Sequence, residues 1–441
     1  MSHDIQTMTV AELAQAISAK SLTPLEITQS YLDQIASHDF AHRIYSEVLV
    51  ESALAAAHAA TERQAKGTRL SILDGIPISW KDLFDIKGHS CEAGSAFLKD
   101  RIAPTTAKVV ENSNQFGLIP LGKTHLSELA FSGLGLNPVM QTTPCVNDIE
   151  AVSGGSSSGA AGSVAFGLAP AGIGSDTGGS VRVPSAWNDL TGVKTTHGSL
   201  SSAGVVPLCT RFDTAGPLAK NMTDAGFLYQ AMAGHTPQPM QPQKVTQIAV
   251  LQGIPLQDLD PSVKTANAAS LQKLEDAGIA LEPLHFGPLE EMLSLAPIIF
   301  SYEAYHQWKT EITEMGDLMF QPIRERFLSG NAFTQEDYNA AWSRLNEIRR
   351  AWLQAVAPFD LVTLPTAPIL PPKIDRLLSD LEYYTQINLL ALRNTRIGNM
   401  LGLCVSTLPT GTASVGISFM AKPGDDEALI KQSLSLEKIL S

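Results

Sequence analysis

Cysteine is scarce in this chain, and its four residues, Cys91, Cys145, Cys209 and Cys404, stand too far apart for CxxC or zinc-ligand spacing. The pattern offers no disulfide framework and no metal site, and reduced thiols in a cytoplasmic setting are expected. Charge is also sparse: Asp, Glu, Lys and Arg make up 17% of residues, with a formal net charge of −13. An acidic balance repels nucleic-acid phosphate and anionic lipid, and no local basic patch overrides it. The densest basic group, Arg344, Arg349 and Arg350, accompanies Glu347 in a helical pattern and reads as a solvated helix face. The longest apolar run, around Ala160 to Ile173, is broken by glycines and Pro170. The opening MSHDIQTMTVAELAQA is polar and acidic where a secretory signal is basic and then apolar. Neither export nor a membrane span is expected.

What is present is a hydrophobic content of 44% over 441 residues, enough for a large core without disulfide or metal support. Thr9 with Glu12, and Thr23 with Pro24 and Glu26, predict two capped helix starts. An alanine-rich helix follows from about Val50 to Gln64, so residues 1–66 read as helical packing material. From Gly75 short apolar runs alternate with helical segments: GIPISW, a helix around Ala107 to Gln115, then GLIPLGK. This alternation predicts an α/β layer structure around a buried sheet. A core is assigned to residues 67–232. After a Pro/Gln-rich surface connection, residues 233–441 supply further strands (QIAVL, FDLVTLPTAPILP, LCVSTLPTG). Helices are expected at about Ser262 to Ala277, Tyr302 to Trp308 and Asp426 to Leu440. The whole, 1–441, is read as a single domain.

The densest chemical signal is Ser153 to Ser185, where glycine and serine crowd around Ser156 and Ser180. Glycine allows unusual dihedrals and close approach of a ligand to the main chain, as an oxyanion pocket requires. Val164, Phe166, Leu168 and Ile173 distinguish the stretch from a flexible linker. Two other motifs overlap this region or lie near it. GLIPLGKT at Gly117 to Thr124 has P-loop spacing, but a helix-like VVENSNQF precedes it and Pro120 has no N–H to offer. GSSSG at Gly155 to Gly159 has nucleophile-elbow spacing around Ser157, but the preceding Pro144, Asn147, Asp148 and Glu150 are too polar and turn-like for the required buried strand. His125 and His197 are candidate bases for such a triad, with hydrogen-bonded structural roles as the plainer reading.

Lys81 ends the apolar run GIPISW. An ammonium at the end of a buried strand is pushed toward its neutral form, which is a general base; pairing with Asp82 or Asp85 at the surface is the simpler alternative. Together with the serine-rich loop, GIPISWKDLFDIKG resembles the lysine segment of the amidase signature family. The likeness continues through LGKTHLSELAFSG, SGGSSSGAA, GSDTGGSVRVPSA, GPLAKNMTDAG and, more loosely, the C-terminal runs, in the family's order. It implies a mixed twisted sheet covered by helices on both faces and an amidohydrolase acting on a linear carbon–nitrogen bond.

By this resemblance Ser180 is the nucleophile, Ser156 a bridging serine on a cis peptide and Lys81 the terminal base. Thr177, Gly178 and Gly179, with Ser180, would supply oxyanion-hole N–H groups. Ser157 would support the lysine at one remove. From the residues themselves, Asp176 is expected to order the loop by accepting backbone hydrogen bonds, and Arg182 to pair with a carboxylate inside the fold, with a substrate-facing role as the alternative. Phe131, Ser132 and Gly133 would border the acyl pocket. The chain departs from the family pattern with GGSSSG for GGSSGG and KTTHGSLS for KPTYGRVS. No cofactor or metal is implied. The expected partner is a small-molecule amide, with homodimer formation left open. The alternatives are the glutamine-hydrolysing component of a tRNA-dependent amidotransferase, its A subunit, or a carbamate, ureide or ester hydrolase of the same family.

Overall fold

A computed structural model describes residues 5–441. Thr9 and Thr23 cap the helices Val10–Ser18 and Pro24–Ser37, each accepting from the backbone N–H of Glu12 or Glu26, whose carboxylate answers the cap N–H. These reciprocal bonds satisfy donors that a first helical turn leaves open, and the helices bury Leu13, Ile17, Ile27 and Tyr31.

The described residues form an eleven-stranded mixed sheet flanked by helices. Across it lie Tyr45–Val48, Ile119–Thr124, Pro77–Lys81, Ala171–Ser175, Ala215–Ala219, Thr191–Lys194, Cys404–Pro409, Gly416–Ala421, Leu361–Pro365, Gln247–Leu251 and Ala280–Leu284. Pro77–Lys81 runs parallel to both neighbours, and Ala171–Ser175 then pairs antiparallel with Ala215–Ala219. All residues of Pro77–Lys81 and Ala171–Ser175 are buried, so both strands are covered above and below and their sequences do not alternate with polar residues.

Helix Ser158–Ala165 lies on these two strands. A Cβ built on Gly174 would fall 2.5 Å from Ser157 Oγ, so only glycine lets the start of that helix settle onto the sheet. The helix therefore delivers the serine-rich loop to the strand ends that carry Lys81 and Ser175.

Several sequence expectations change. The first 66 residues are not wholly helical, because Tyr45–Val48 forms an edge strand against Ile119–Thr124. Four residues are too few to show a period. The polar Asp148–Val152, read as turn-like, pairs with Pro144–Cys145 in a separate two-stranded sheet, its polar side chains facing solvent. The helix expected at Tyr302 to Trp308 spans Leu289–Met315, with Pro297 inside it. Around GLIPLGKT the expected arrangement is found, with the helix Lys108–Gln115 before it and a strand within it. No helix among the described residues is long and apolar enough to cross a membrane.

Candidate active site

Lys81 is fully buried at the end of its strand. The two nearby acids are otherwise engaged: Lys123 Nζ is 2.7 Å from Asp82 Oδ1, and Arg101 Nη1 is 2.7 Å from Asp85 Oδ1. Surface pairing of Lys81 with either acid is thereby overturned. Its Nζ instead lies 2.7 Å from Ser156 Oγ and 2.8 Å from Ser175 Oγ. Burial lowers the pKa of Lys81 to about 7, an effect that the more distant Asp176 and Asp213 carboxylates only partly oppose.

The peptide bond Gly155–Ser156 is cis. Ser127 N–H donates to the Ser156 carbonyl at 3.2 Å, and Gly155 N–H donates to that of Gly133 at 2.8 Å. One residue on, Ser157 N–H donates to the Ser180 carbonyl at 3.2 Å, which joins the two serine-bearing segments.

Ser157 meets Lys81 at one remove. Its Oγ donates to the Ser175 carbonyl and accepts from the Ser175 N–H, so it reaches the lysine only through Ser175. The hydroxyl of Ser175, the residue before the DTGGS motif, makes the direct contact and is a site residue that the sequence reading missed. Its signal was its position at the end of the strand adjacent to that of Lys81. Replacing Ser175 with alanine removes an acceptor that favours the charged amine. We expect kcat/KM to fall by roughly tenfold and the pH limb near 7 to move to lower pH, readable in a pH–rate profile; an unshifted limb would show that Ser175 does not tune the lysine.

Asp176 holds the Ser180 loop from inside. Its carboxylate accepts from Gly179 N–H at 2.8 Å, Val181 N–H at 3.2 Å, Arg182 Nε and Nη2 at 2.9 Å each, and Asn399 Nδ2 at 2.9 Å. Burial alone would raise its pKa, yet the Arg182 guanidinium, with the Lys194 ammonium and the Asn399 amide, holds it down to about 2. Arg182 also donates to the Thr395 carbonyl and to Asn399 Oδ1, so it pairs inside the fold rather than facing a substrate.

This network corrects one expected oxyanion donor. Gly179 N–H is directed at Asp176, whereas the N–H groups of Thr177, Gly178 and Ser180 make no hydrogen bond within the described residues. Gly179 has φ +136°, and a Cβ there would fall 2.1 Å from Thr395 Oγ1, so any side chain at this position breaks the loop. Thr177 Oγ1 donates to Asp213 at 2.6 Å. Burial raises the Asp213 pKa to about 6 despite that bond and the N–H groups of Leu208 and Cys209.

A pocket lined by Phe131, Ser132, Thr177, Gly178 and Ser180, among others, opens on the loop. Gly133 does not line it; its N–H goes to Asn388 Oδ1, and its carbonyl accepts from Gly155. Neither His125 nor His197 lines that pocket: the His125 carbonyl accepts from Gly159 N–H and burial lowers its ring pKa to about 4, while the His197 ring bonds the Thr210 carbonyl. No group of three or more His, Cys, Asp or Glu among the described residues is arranged to hold a metal ion.

Comparison with known proteins agrees with this architecture. The family model described as Amidase matches residues 26–430. The A subunit of the glutamyl-tRNA(Gln) amidotransferase from Acinetobacter baumannii is 31% identical over 94% of this chain and 93% of its own length. Its counterpart in Chloroflexus aggregans is 28% identical over 99% and 97%. A solved structure described as an amidase superposes with TM-score 0.88 at 26% identity, covering 98% of this chain and all of the other. The peptide amidase of Stenotrophomonas maltophilia shares the fold with TM-score 0.84 at 24% identity, over 98% of this chain and 96% of its own. The chain belongs to the amidase signature family of amide-cleaving hydrolases.

Proposed function

We propose that the protein cleaves a linear amide through an acyl-enzyme on Ser180, activated by a relay through Ser156 to an uncharged Lys81. The observation that supports this reading best is a fully buried amine 2.7 Å from Ser156 Oγ, with no carboxylate among the described residues paired to it. An ammonium has only donors. A neutral amine has a lone pair, and with Ser175 Oγ accepting one of its N–H groups that lone pair receives the Ser156 proton.

Ser180 Oγ then attacks the carbonyl carbon as its proton passes to Ser156 and the Ser156 proton passes to Lys81. The N–H groups of Thr177, Gly178 and Ser180 hold the developing oxyanion, each such donor typically contributing about 3–4 kcal/mol of barrier lowering. The carbon–nitrogen bond breaks as the amine takes its proton back through the relay. Water, deprotonated by the same route, releases the acid. Asp176 and Arg182 keep the loop in shape and do not touch the substrate.

A fluorophosphonate probe tests the assignment. Labelling is expected on Ser180 and absent from Ser180→Ala, with amide hydrolysis lost in parallel. Label on a different residue, or an active Ser180→Ala enzyme, would overturn it.

The resemblance to the A subunit of glutamyl-tRNA(Gln) amidotransferases, spanning 94% of this chain, favours a second reading in which the same site hydrolyses glutamine for partner proteins. Copurification of such partners with the protein from its source would support that reading, and full amidase activity of the isolated chain would oppose it.

A further inference from the structure

Two guanidinium groups have no part in the relay. Arg326 and Arg396 both line the pocket at Ser180 and both line an adjoining chamber of about 320 Å³, so they stand where the two spaces meet. Arg326 is anchored: Nη1 donates to the Phe131 carbonyl at 2.8 Å, and the guanidinium lies 4.2 Å over the Phe131 ring. Arg396 is not. Its side chain makes no hydrogen bond or ion pair among the described residues, and its Nη2 is shielded from solvent without an acceptor. Its Cγ lies 3.8 Å from where a Cβ on Gly178 would stand, so its stem runs beside the proposed oxyanion loop.

A buried cationic donor without a partner is costly, and native structures seldom keep one without use. Arg182 shows the ordinary solution, with Asp176, Thr395 and Asn399 around it. Burial lowers the pKa of Arg396 to about 9 and that of Arg326 to about 10, and no carboxylate offsets either effect.

We propose that Arg396, with Arg326 beside it, receives a carboxylate on the acyl part of the substrate, making the enzyme a hydrolase of monoamides of linear dicarboxylic acids. This rests on the Ser180 reading above. A guanidinium fork matches a carboxylate in plane, and the shielded site strengthens the pairing. The acyl carbon bonds Ser180 Oγ, ammonia leaves with the relayed proton, and water then yields the free diacid, so the overall reaction consumes one water per ammonia released.

The same lining disfavours an amino acid amide. Among the described residues no Asp or Glu lines the Ser180 pocket, and the chamber contributes only Glu325, which is exposed. Asp213, which reaches this lining through Thr177 Oγ1, is engaged by that hydroxyl and by the N–H groups of Leu208 and Cys209, so an α-ammonium would sit near two guanidinium groups with no unengaged acid to meet it. Glutaramate, which is glutamine without its amino group, should therefore be the better substrate.

The test is ammonia release from glutaramate, glutamine and butyramide by the purified protein, beside fluorophosphonate labelling of Ser180. We expect glutaramate to exceed both others in kcat/KM by about 100-fold, the scale for a shielded charge pair. In Arg396→Met the glutaramate to butyramide ratio should fall by roughly 100-fold, mainly through KM, with part of it restored in Arg396→Lys. A wild-type enzyme that labels at Ser180 but prefers butyramide or glutamine overturns the proposal and leaves the serine reading standing. So does an unchanged ratio in an Arg396→Met protein that still labels. Should Arg396→Met fail to fold, the wild-type panel and Arg396→Lys decide. Absence of labelling together with absence of hydrolysis overturns both.

Discussion

Replacing Lys81 with methionine is expected to lower kcat/KM by about 10³-fold or more and to abolish fluorophosphonate labelling of Ser180. Methionine keeps most of the buried volume and removes only the amine, so the loss reports the relay rather than a cavity. Serine hydroxyls do not ionise near neutral pH, and no histidine in the site can substitute. The wild-type rate should rise with pH through about 7, because the base must be uncharged and burial sets its pKa there. That limb should be missing from whatever activity the variant retains. Stability carries the same signature. The folded pKa of Lys81 lies below its ordinary value of 10.5, so the unfolded chain binds more protons between about 7 and 10.5, and the wild-type fold gains stability as pH rises across that window. Lys81→Met should lack that gain in unfolding curves collected at pH 7 and pH 10. A variant that keeps the limb near 7 would move the base to another group.

Removing Arg182 should be the most damaging single change to the fold around the site. Arg182→Met leaves the Asp176 carboxylate buried without its cation, a loss of about 3–5 kcal/mol for a pair of this kind. Asp176 holds Gly179 and Val181 on either side of Ser180, so labelling should fail along with stability. The pH behaviour follows from the same pair. In the wild type the carboxylate sits at about 2, so its contribution is complete above the ordinary 3.8 and is lost only as pH falls through about 2. Without Arg182, burial dominates and the carboxylate protonates at higher pH, which makes the variant acid-sensitive in a range where the wild type is not. The double variant Asp176→Asn with Arg182→Met should be more stable than Arg182→Met alone, since it leaves no uncompensated carboxylate. Equal instability of the two, measured by urea unfolding, would show that the carboxylate is not the source of the loss.

These groups are legible because they lie in continuous segments whose composition has a local cause. Lys81 ends an unbroken apolar run, and Ser156, Asp176 and Ser180 lie within one glycine-rich stretch where backbone freedom is the obvious requirement. Ser157 and Ser175 show the limit of that legibility. Both are buried serines in the same stretch, and which one meets the lysine depends on how the loop enters helix Ser158–Ala165, not on residue type. The direction of the Gly179 donor is hidden for a similar reason: a carboxylate three residues earlier turns its N–H inward.

Arg326 and Arg396 are not legible at all. Each sits in a short helix far along the chain from the serine loop, and an arginine in such a segment reads as a solvent-facing charge until the fold brings it to the pocket. In the sheet, the strand Ala215–Ala219 escapes notice because alanine, glycine and proline give it little β propensity, and Thr191–Lys194 because four residues broken by a glycine are too short to show a run. Tertiary burial, with helices on either side, decides their conformation.

The most direct test of the central claim is an NMR titration of the Lys81 side chain, with ¹³Cε-labelled lysine assigned by comparison with Lys81→Met. A midpoint near 7 is predicted, with the amine largely neutral where the enzyme works. A side chain that stays cationic until about 10.5 would contradict the relay, because no lone pair would then be present to draw the proton from Ser156.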